Sequence, residues 1–169
     1  MTERSTGPPP GLRRGAARLA AVQALYQAEL TGATGAEVVD EFIAHRLGRD
    51  IDGVTCAEAD AVFFAELVRG TLERRDEVDH LLDDALVEGW PLGRLDRTLR
   101  ATLRAGTFEL LARPDVPARV VIDEYLDVAH AFFDGAEPGL VNGVLDGLGR
   151  RLRPGELEGD GNQRPARAG

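Results

Sequence analysis

A chain of 169 residues with 43% apolar side chains is long enough for one globular core and too apolar to be disordered throughout. The single cysteine, Cys56, excludes a disulfide framework and fits a reducing, cytoplasmic compartment; no apolar run reaches the roughly 18 residues of a membrane span, and prolines stand where a signal peptide needs an apolar stretch. The net charge of −9 is unevenly placed: Arg4, Arg13, Arg14 and Arg18 against Glu3 give residues 1–18 a local +3, whereas residues 19–153 hold −11, so a basic arm precedes an acidic body.

Residues 1–12, rich in Gly and Pro, are expected to form a disordered arm, residues 13–153 a single all-helical domain, and residues 154–169 a loose tail. Between arm and tail the apolar spacing is helical, with no alternating strand pattern and no internal repeat. A first helix is predicted from about Arg13 to Thr31, with Leu19, Val22, Tyr26 and Leu30 as its core stripe and Gly32 as its stop. A second, about 35–48, would bury Val39, Phe42, Ile43 and Leu47, and a loop follows from Gly48 to Gly53. A third, about 57–73, would bury Phe63, Phe64, Leu67, Val68 and Leu72; a fourth, about 75–88, Val78, Leu81, Leu82, Ala85 and Leu86.

Gly89-Trp90-Pro91 breaks the chain. The fifth helix, about 94–112, sets Leu95, Leu99, Leu103, Gly106 and Leu110 on one face and Arg97, Arg100 and Arg104 on the opposite, outward face. Arg113-Pro114-Asp115 stops it, and Pro117 suits the first turn of a sixth, about 117–133, that buries Val121, Tyr125, Val128 and Phe132 and turns Asp123, Glu124 and Asp127 outward. After the turn at Asp134-Gly135, the seventh, about 137–152, buries Val141, Val144, Leu145, Leu148 and Leu152. Short connections favour antiparallel neighbours, so the fold class is an all-α compact bundle of about seven helices.

Catalytic and metal chemistry is hard to find. His45, His80 and His130 lie far apart, none shares a helical face with a second ligand type, and Cys56 has no CxxC partner. A P-loop, a GxGxxG turn and a GxSxG elbow are all missing from the sequence. Asp83 and Asp84 look like a dyad, but adjacent helical residues diverge by about 100°, and a solvated face explains them. The expectation is a binding protein that is not an enzyme, with no metal and no cofactor.

Two features suit binding. Arg14 and Arg18 share one row of the first helix, with Arg13 at the same end, and such guanidinium groups can follow a phosphate backbone or stack on bases. The simpler alternative pairs them with acids of the body. Gly143, inside the seventh helix, costs roughly 1 kcal/mol relative to Ala, which close approach of another helix or of a ligand should offset. Asn142 beside it offers donors and acceptors.

Arg14-x-x-x-Arg18 followed by Ala21-Val22-Gln23-Ala24-Leu25-Tyr26 resembles the opening helix of the NusB family of bacterial transcription-antitermination factors. The resemblance continues through Leu103-Arg104 and Phe108-Glu109-Leu110, Asp115-Val116-Pro117, Val121-Ile122-Asp123-Glu124 and Val141-Asn142-Gly143-Val144-Leu145-Asp146. Single segments are weak, but the ordered set is specific and spans roughly residues 13–153. The resemblance implies two packed helical subdomains and binding to the boxA element of ribosomal-RNA and phage leader transcripts. It implies action with NusE, the ribosomal small-subunit protein, in an RNA polymerase antitermination complex. It also implies that RNA meets the first helix and the segment leading into the last. By position these are Arg14, Arg18, Gln23 and Tyr26, then Leu140 and Asn142, with Arg13 added on charge and proximity. The place of Tyr26 on the apolar stripe argues instead for core packing.

Two departures stand out. Family members commonly carry Lys-Phe before Val-Asn-Gly, where this chain has Gly139-Leu140, and Glu137-Pro138 shortens the preceding loop. Losing a Phe that could stack on a base removes a contact of roughly 1–3 kcal/mol. RNA binding at this end is therefore expected to be weaker or retuned, with Arg14 and Arg18 carrying more of it. The alternative function is an acidic interaction module that docks a ribosomal protein without RNA affinity. A NusB-like domain also fronts some ribosomal-RNA cytosine methyltransferases, but this sequence holds no glycine-rich cofactor domain. The resemblance leaves monomer and homodimer open.

Overall fold

Seven α-helices carry the fold in the computed structural model, which describes residues 9–47, 50–51, 54–55, 59–86 and 90–157. The chain divides into two units, residues 1–72 and 73–169.

In the first unit, α1 (Pro10–Thr31) starts with Pro10 at the helix-opening position, where the missing N–H has no intrahelical partner to lose. Residues 10–12, expected in the arm, are therefore helical; residues 1–8 lie outside the described residues. Gly32, at φ 72°, ends α1 and donates its N–H to the Ala28 carbonyl at 2.9 Å. The predicted apolar stripe is only partly the buried one. Val22 is buried, Leu19 and Tyr26 are half-buried, and Leu30 is exposed. The buried face is made by Ala17, Ala20, Ala21, Ala24 and Ala28 with Leu25. Small side chains let neighbours approach the backbone closely, and apolar spacing of large residues does not register them.

Thr34 caps α2 (Gly35–His45): its hydroxyl accepts from Glu37 N–H at 3.2 Å and bonds the Glu37 carboxylate at 2.9 Å. Val38, Val39 and Phe42 are buried, and Phe42 stacks on Phe64 with ring centroids 5.7 Å apart. Ile43, assigned to the core by its spacing, is exposed, and Leu47 is half-buried outside the helix. Gln27 donates to Glu41, linking α1 to α2. A minimal antiparallel ribbon starts in the expected loop with β1 (Asp50–Ile51) and ends beyond it with β2 (Val54–Thr55), too short for an alternating pattern. α3 (Ala61–Glu73) buries Phe63, Phe64, Leu67 and Val68 as predicted, but starts later than expected; residues 57–58 lie outside the described residues.

In the second unit, α4 (Arg75–Ala85) buries Val78, Leu81 and Leu82, and residues 87–89 lie outside the described residues. A 3-10 turn at Leu92–Arg94 precedes α5 (Arg97–Ala112), which Asp96 caps by accepting from Thr98 and Leu99 N–H at 2.8 and 3.2 Å. Every residue of α5 from Leu99 to Leu110 is buried, so the helix has no outward arginine face. Arg100 and Arg104 correct that expectation. Arg100 Nη1 donates to the carbonyls of Leu92, Gly93 and Leu95 at 3.1–3.3 Å. Arg104 forks onto Asp79 at 2.7 and 2.9 Å. Both charges are buried because acceptors from the turn and from α4 replace water. Only Arg97 stays exposed.

α6 (Ala118–Phe132) and α7 (Glu137–Leu152) flank α5. Pro117 is the residue before α6 rather than its first turn. A Cβ on Gly106 would lie 2.8 Å from Leu145 and 3.3 Å from Tyr125, so the glycine lets all three helices close together. Tyr125 donates its hydroxyl to the buried Glu109 carboxylate at 3.0 Å. The start of the expected loose tail is a turn at 153–157 with Leu157 buried against Gly149. Residues 158–169 lie outside the described residues.

Candidate nucleic-acid interface

The arginines at the start of α1 are sorted by what α3 places beneath them. Asp60 caps α3, its Oδ1 accepting from Phe63 N–H at 3.0 Å, while its own N–H donates to the Arg13 carbonyl at 3.0 Å. The two helix starts are thereby tied together, and Phe63 comes under the basic row. The guanidinium carbons of Arg14 and Arg18 lie 4.9 and 5.0 Å from its ring centroid. Spacing of i, i+4 puts both side chains within reach of one ring.

Exposure then grades the three. Arg13 is exposed and makes no ion pair among the described residues. Arg14 is half-buried. Arg18 is only 2% exposed and has further contacts besides the ring. The expected cluster of three solvent-facing guanidinium groups is therefore a gradient, with Arg13 outermost and Arg18 packed into the unit. Gln23 and Tyr26, further along α1, are both half-buried, so Tyr26 is not fully enclosed in the core.

At the start of α7, in the second unit, Leu140 is half-buried and Asn142 exposed. A Cβ at Gly139 or Gly143 would meet nothing within 4 Å. The close helix approach considered for Gly143 is absent, because that residue faces open space. Pro138 is buried under the same turn and fixes its direction.

Other candidate chemistry resolves simply. Asp83 and Asp84 are exposed, and Asp84 lies 3.6 Å from Arg151 and 3.8 Å from His80, a solvated ion-pair face. Among the described residues no three His, Cys, Asp or Glu side chains group as metal ligands, and Cys56 lies outside those residues. The roles of Asp60 and Phe63 were missed. Asp60 just ahead of an apolar run is a legible helix-cap signal. The ring's contact with arginines more than forty positions upstream has no sequence signal.

Comparison with known proteins gives a concordant result. Residues 15–150 match the model of the NusB family. The chain is 56% identical over 145 residues to the transcription antitermination protein NusB of Nitrobacter hamburgensis, covering 86% of this chain and 91% of the relative. It is similar to the solved structure of NusB from T. maritima, with TM-score 0.66, 30% identity and coverage of 81% of this chain and 90% of that one. It also shares its fold with a crystal structure of antitermination factors NusB and NusE in complex with dsRNA, at TM-score 0.68 and 24% identity, covering 83% of this chain and 98% of that one.

Proposed function

The chain belongs to the NusB family, and from that premise we propose an RNA-binding transcription antitermination factor that holds boxA RNA of ribosomal-RNA transcripts together with NusE in an RNA polymerase complex. The carrying observation is the family match over residues 15–150, which takes in most of α1 and the whole start of α7. The chemistry is recognition alone. Arg13 and Arg14 reach for phosphate, where a guanidinium can fork onto two oxygens. Arg18 and Phe63 act beneath them, holding Arg14 in a fixed direction. At α7, Asn142 offers an amide, and the bare backbone at Gly139 and Gly143 lets a ligand come close. Leu140 offers apolar contact only. The acidic body suits a basic ribosomal partner. Among the described residues no helix is long and apolar enough to cross a membrane, and action on transcripts places the work in the cytoplasm.

A titration of boxA RNA with NusE at several salt concentrations tests this. Replacing Arg13 and Arg14 by Glu is expected to weaken binding and to make the salt dependence shallower by a slope of about 1 per lost phosphate contact. An unchanged slope removes α1 from the interface. Restoring the family pair with Gly139→Lys and Leu140→Phe is expected to tighten binding; unchanged affinity removes the account of that end. The strongly acidic body favours one second reading, a module that docks NusE without RNA affinity. A pull-down of NusE with and without boxA RNA separates the two, since only the first retains RNA.

A further inference from the structure

Several arginines of the chain are held in place by engaging their donors. Arg104 forks onto Asp79 at 2.7 and 2.9 Å, and Arg113 onto Asp115 with two bonds of 2.9 Å. Arg46 lies over a ring, that of Phe42 at 5.0 Å, but it also meets Glu41 at 3.6 Å. Arg14 is held differently. Its guanidinium carbon is 4.9 Å from the Phe63 ring centroid, and it makes no ion pair among the described residues. An aromatic face attracts a cation through its quadrupole and does not accept a two-bond fork as a carboxylate does, so Arg14 is fixed in direction while its donors stay available. Arg13 is exposed and has no such support among the described residues. Asp60 secures the platform. Its Oδ1 accepts from the Phe63 N–H at 3.0 Å, and its own N–H donates to the Arg13 carbonyl at 3.0 Å. One residue thereby joins the backbone of the ring-bearing position to the first turn of the helix that carries Arg14. The Asp60 carboxylate makes no ion pair among the described residues, so by charge alone it opposes an anion at this end of α1.

We propose that Arg14 is the pre-aimed phosphate fork of α1 and that Phe63 and Asp60 are its positioning residues, the acid strengthening RNA binding through geometry despite its charge. The proposal rests on the RNA-binding reading above and deepens it, ranking Arg14 above Arg13 and assigning two residues at the start of α3 that act through Arg14. A long side chain already held in one direction loses less freedom when it binds, a difference of roughly two- to tenfold in affinity for one arginine. Arg13 brings charge without that advantage. Arg18, 2% exposed and 5.0 Å from the same ring, completes the platform and is too enclosed to be the fork itself. The two effects of Asp60 have opposite signs, which makes them separable. Its charge repels phosphate, whereas its cap and its bond to α1 keep the ring beneath Arg14.

The full chain with NusE is titrated with a single-stranded boxA oligonucleotide over a salt series, following RNA anisotropy, and circular dichroism checks that each variant is folded. Arg14→Gln is expected to weaken binding and to lower the salt slope by about 1. Phe63→Leu leaves every charge in place and is expected to weaken binding roughly two- to tenfold at an unchanged slope. Added to Arg14→Gln it is expected to change little, whereas added to Arg13→Gln it is expected to show its full effect, because a ring that acts through Arg14 has nothing to position once Arg14 is gone. Asp60→Ala removes a negative charge yet is expected to weaken binding. Asp60→Asn, which caps a helix as well as Asp does, is expected to restore native affinity or better. The Asp60 pair decides the matter even if Phe63→Leu does not fold. Asp60→Ala that binds as tightly as the native chain, or Phe63→Leu that weakens Arg14→Gln as much as it weakens the native chain, overturns the positioning roles and leaves the RNA reading standing. Arg14→Gln that impairs NusE binding in the absence of RNA assigns the fork to the protein partner and overturns the proposal too. Absence of RNA binding by the unmodified chain with NusE defeats both.

Discussion

Arg153 shows how much one side chain can organise. It is 7% exposed and donates to four carbonyls, those of Glu109, Leu110, Arg113 and Val116, at 2.7–3.3 Å, and it pairs with Glu156 at 3.1 Å. Glu109 and Leu110 lie in the last turn of α5 and Arg113 is its C-cap, where helix-end carbonyls have few partners and the dipole favours a cation. Arg153→Ala is expected to lower unfolding free energy by about 2–3 kcal/mol in urea denaturation. Lys at this position should recover little, since one ammonium cannot reach four carbonyls. Glu156 completes the arrangement by accepting from the Ala118 N–H at 2.9 Å at the start of α6. That backbone bond, helped by Arg153 and opposed by partial burial, holds its carboxyl below the ordinary 4.5. Folding therefore favours the ionised form. Its contribution is complete above the ordinary value and is lost as pH falls through the depressed one. Melting temperature should drop further between about pH 6 and about pH 3 for the native chain than for Glu156→Gln.

At the scale of elements, helix-interior glycines have opposite meanings according to what faces them. Gly106 sits where α6 and α7 reach α5, so Gly106→Ala is expected to destabilise by about 1–3 kcal/mol through overpacking. Gly143 faces open space, so Gly143→Ala is expected to stabilise by up to about 1 kcal/mol through helix propensity. Denaturant midpoints of the two variants check both signs. Periodicity foresaw α7 at 137–152 and most of the buried residues of α3 and α4, because large apolar side chains mark their inner faces, but Leu72, Ala85 and Leu86, also assigned to the core, are half-buried at the helix ends. It failed on α1, where alanines do the packing, and on α5, where charge suggested an outward face. Arg104 is buried because Asp79 meets it from 25 positions away, and a linear pattern cannot show that partner. The same limit hid the difference between Arg13 and Arg18 in the candidate interface: their types and spacing were visible, but the Phe63 ring that covers Arg18 was not.

Over the whole molecule, the balance of charge separates two kinds of partner. The net −9, with a basic N-terminal segment ahead of a negative body, would on the proposed function let long-range attraction bring in a basic protein while arginine engages RNA locally. Association of NusE should therefore be faster at low ionic strength, slowing about tenfold or more as salt rises to physiological levels and screens the body. Stopped-flow measurements over a salt series give that rate, and a flat profile would remove steering from the account. The order in which the chain leaves the ribosome adds a constraint of a different kind. Arg153 closes the end of α5 across 43 residues of sequence. At roughly 5–20 residues per second, the carbonyls of α5 wait about 2–9 seconds for their guanidinium. Until then a central, buried helix has an open end, so nascent chains stalled before residue 153 should be the ones most dependent on chaperones.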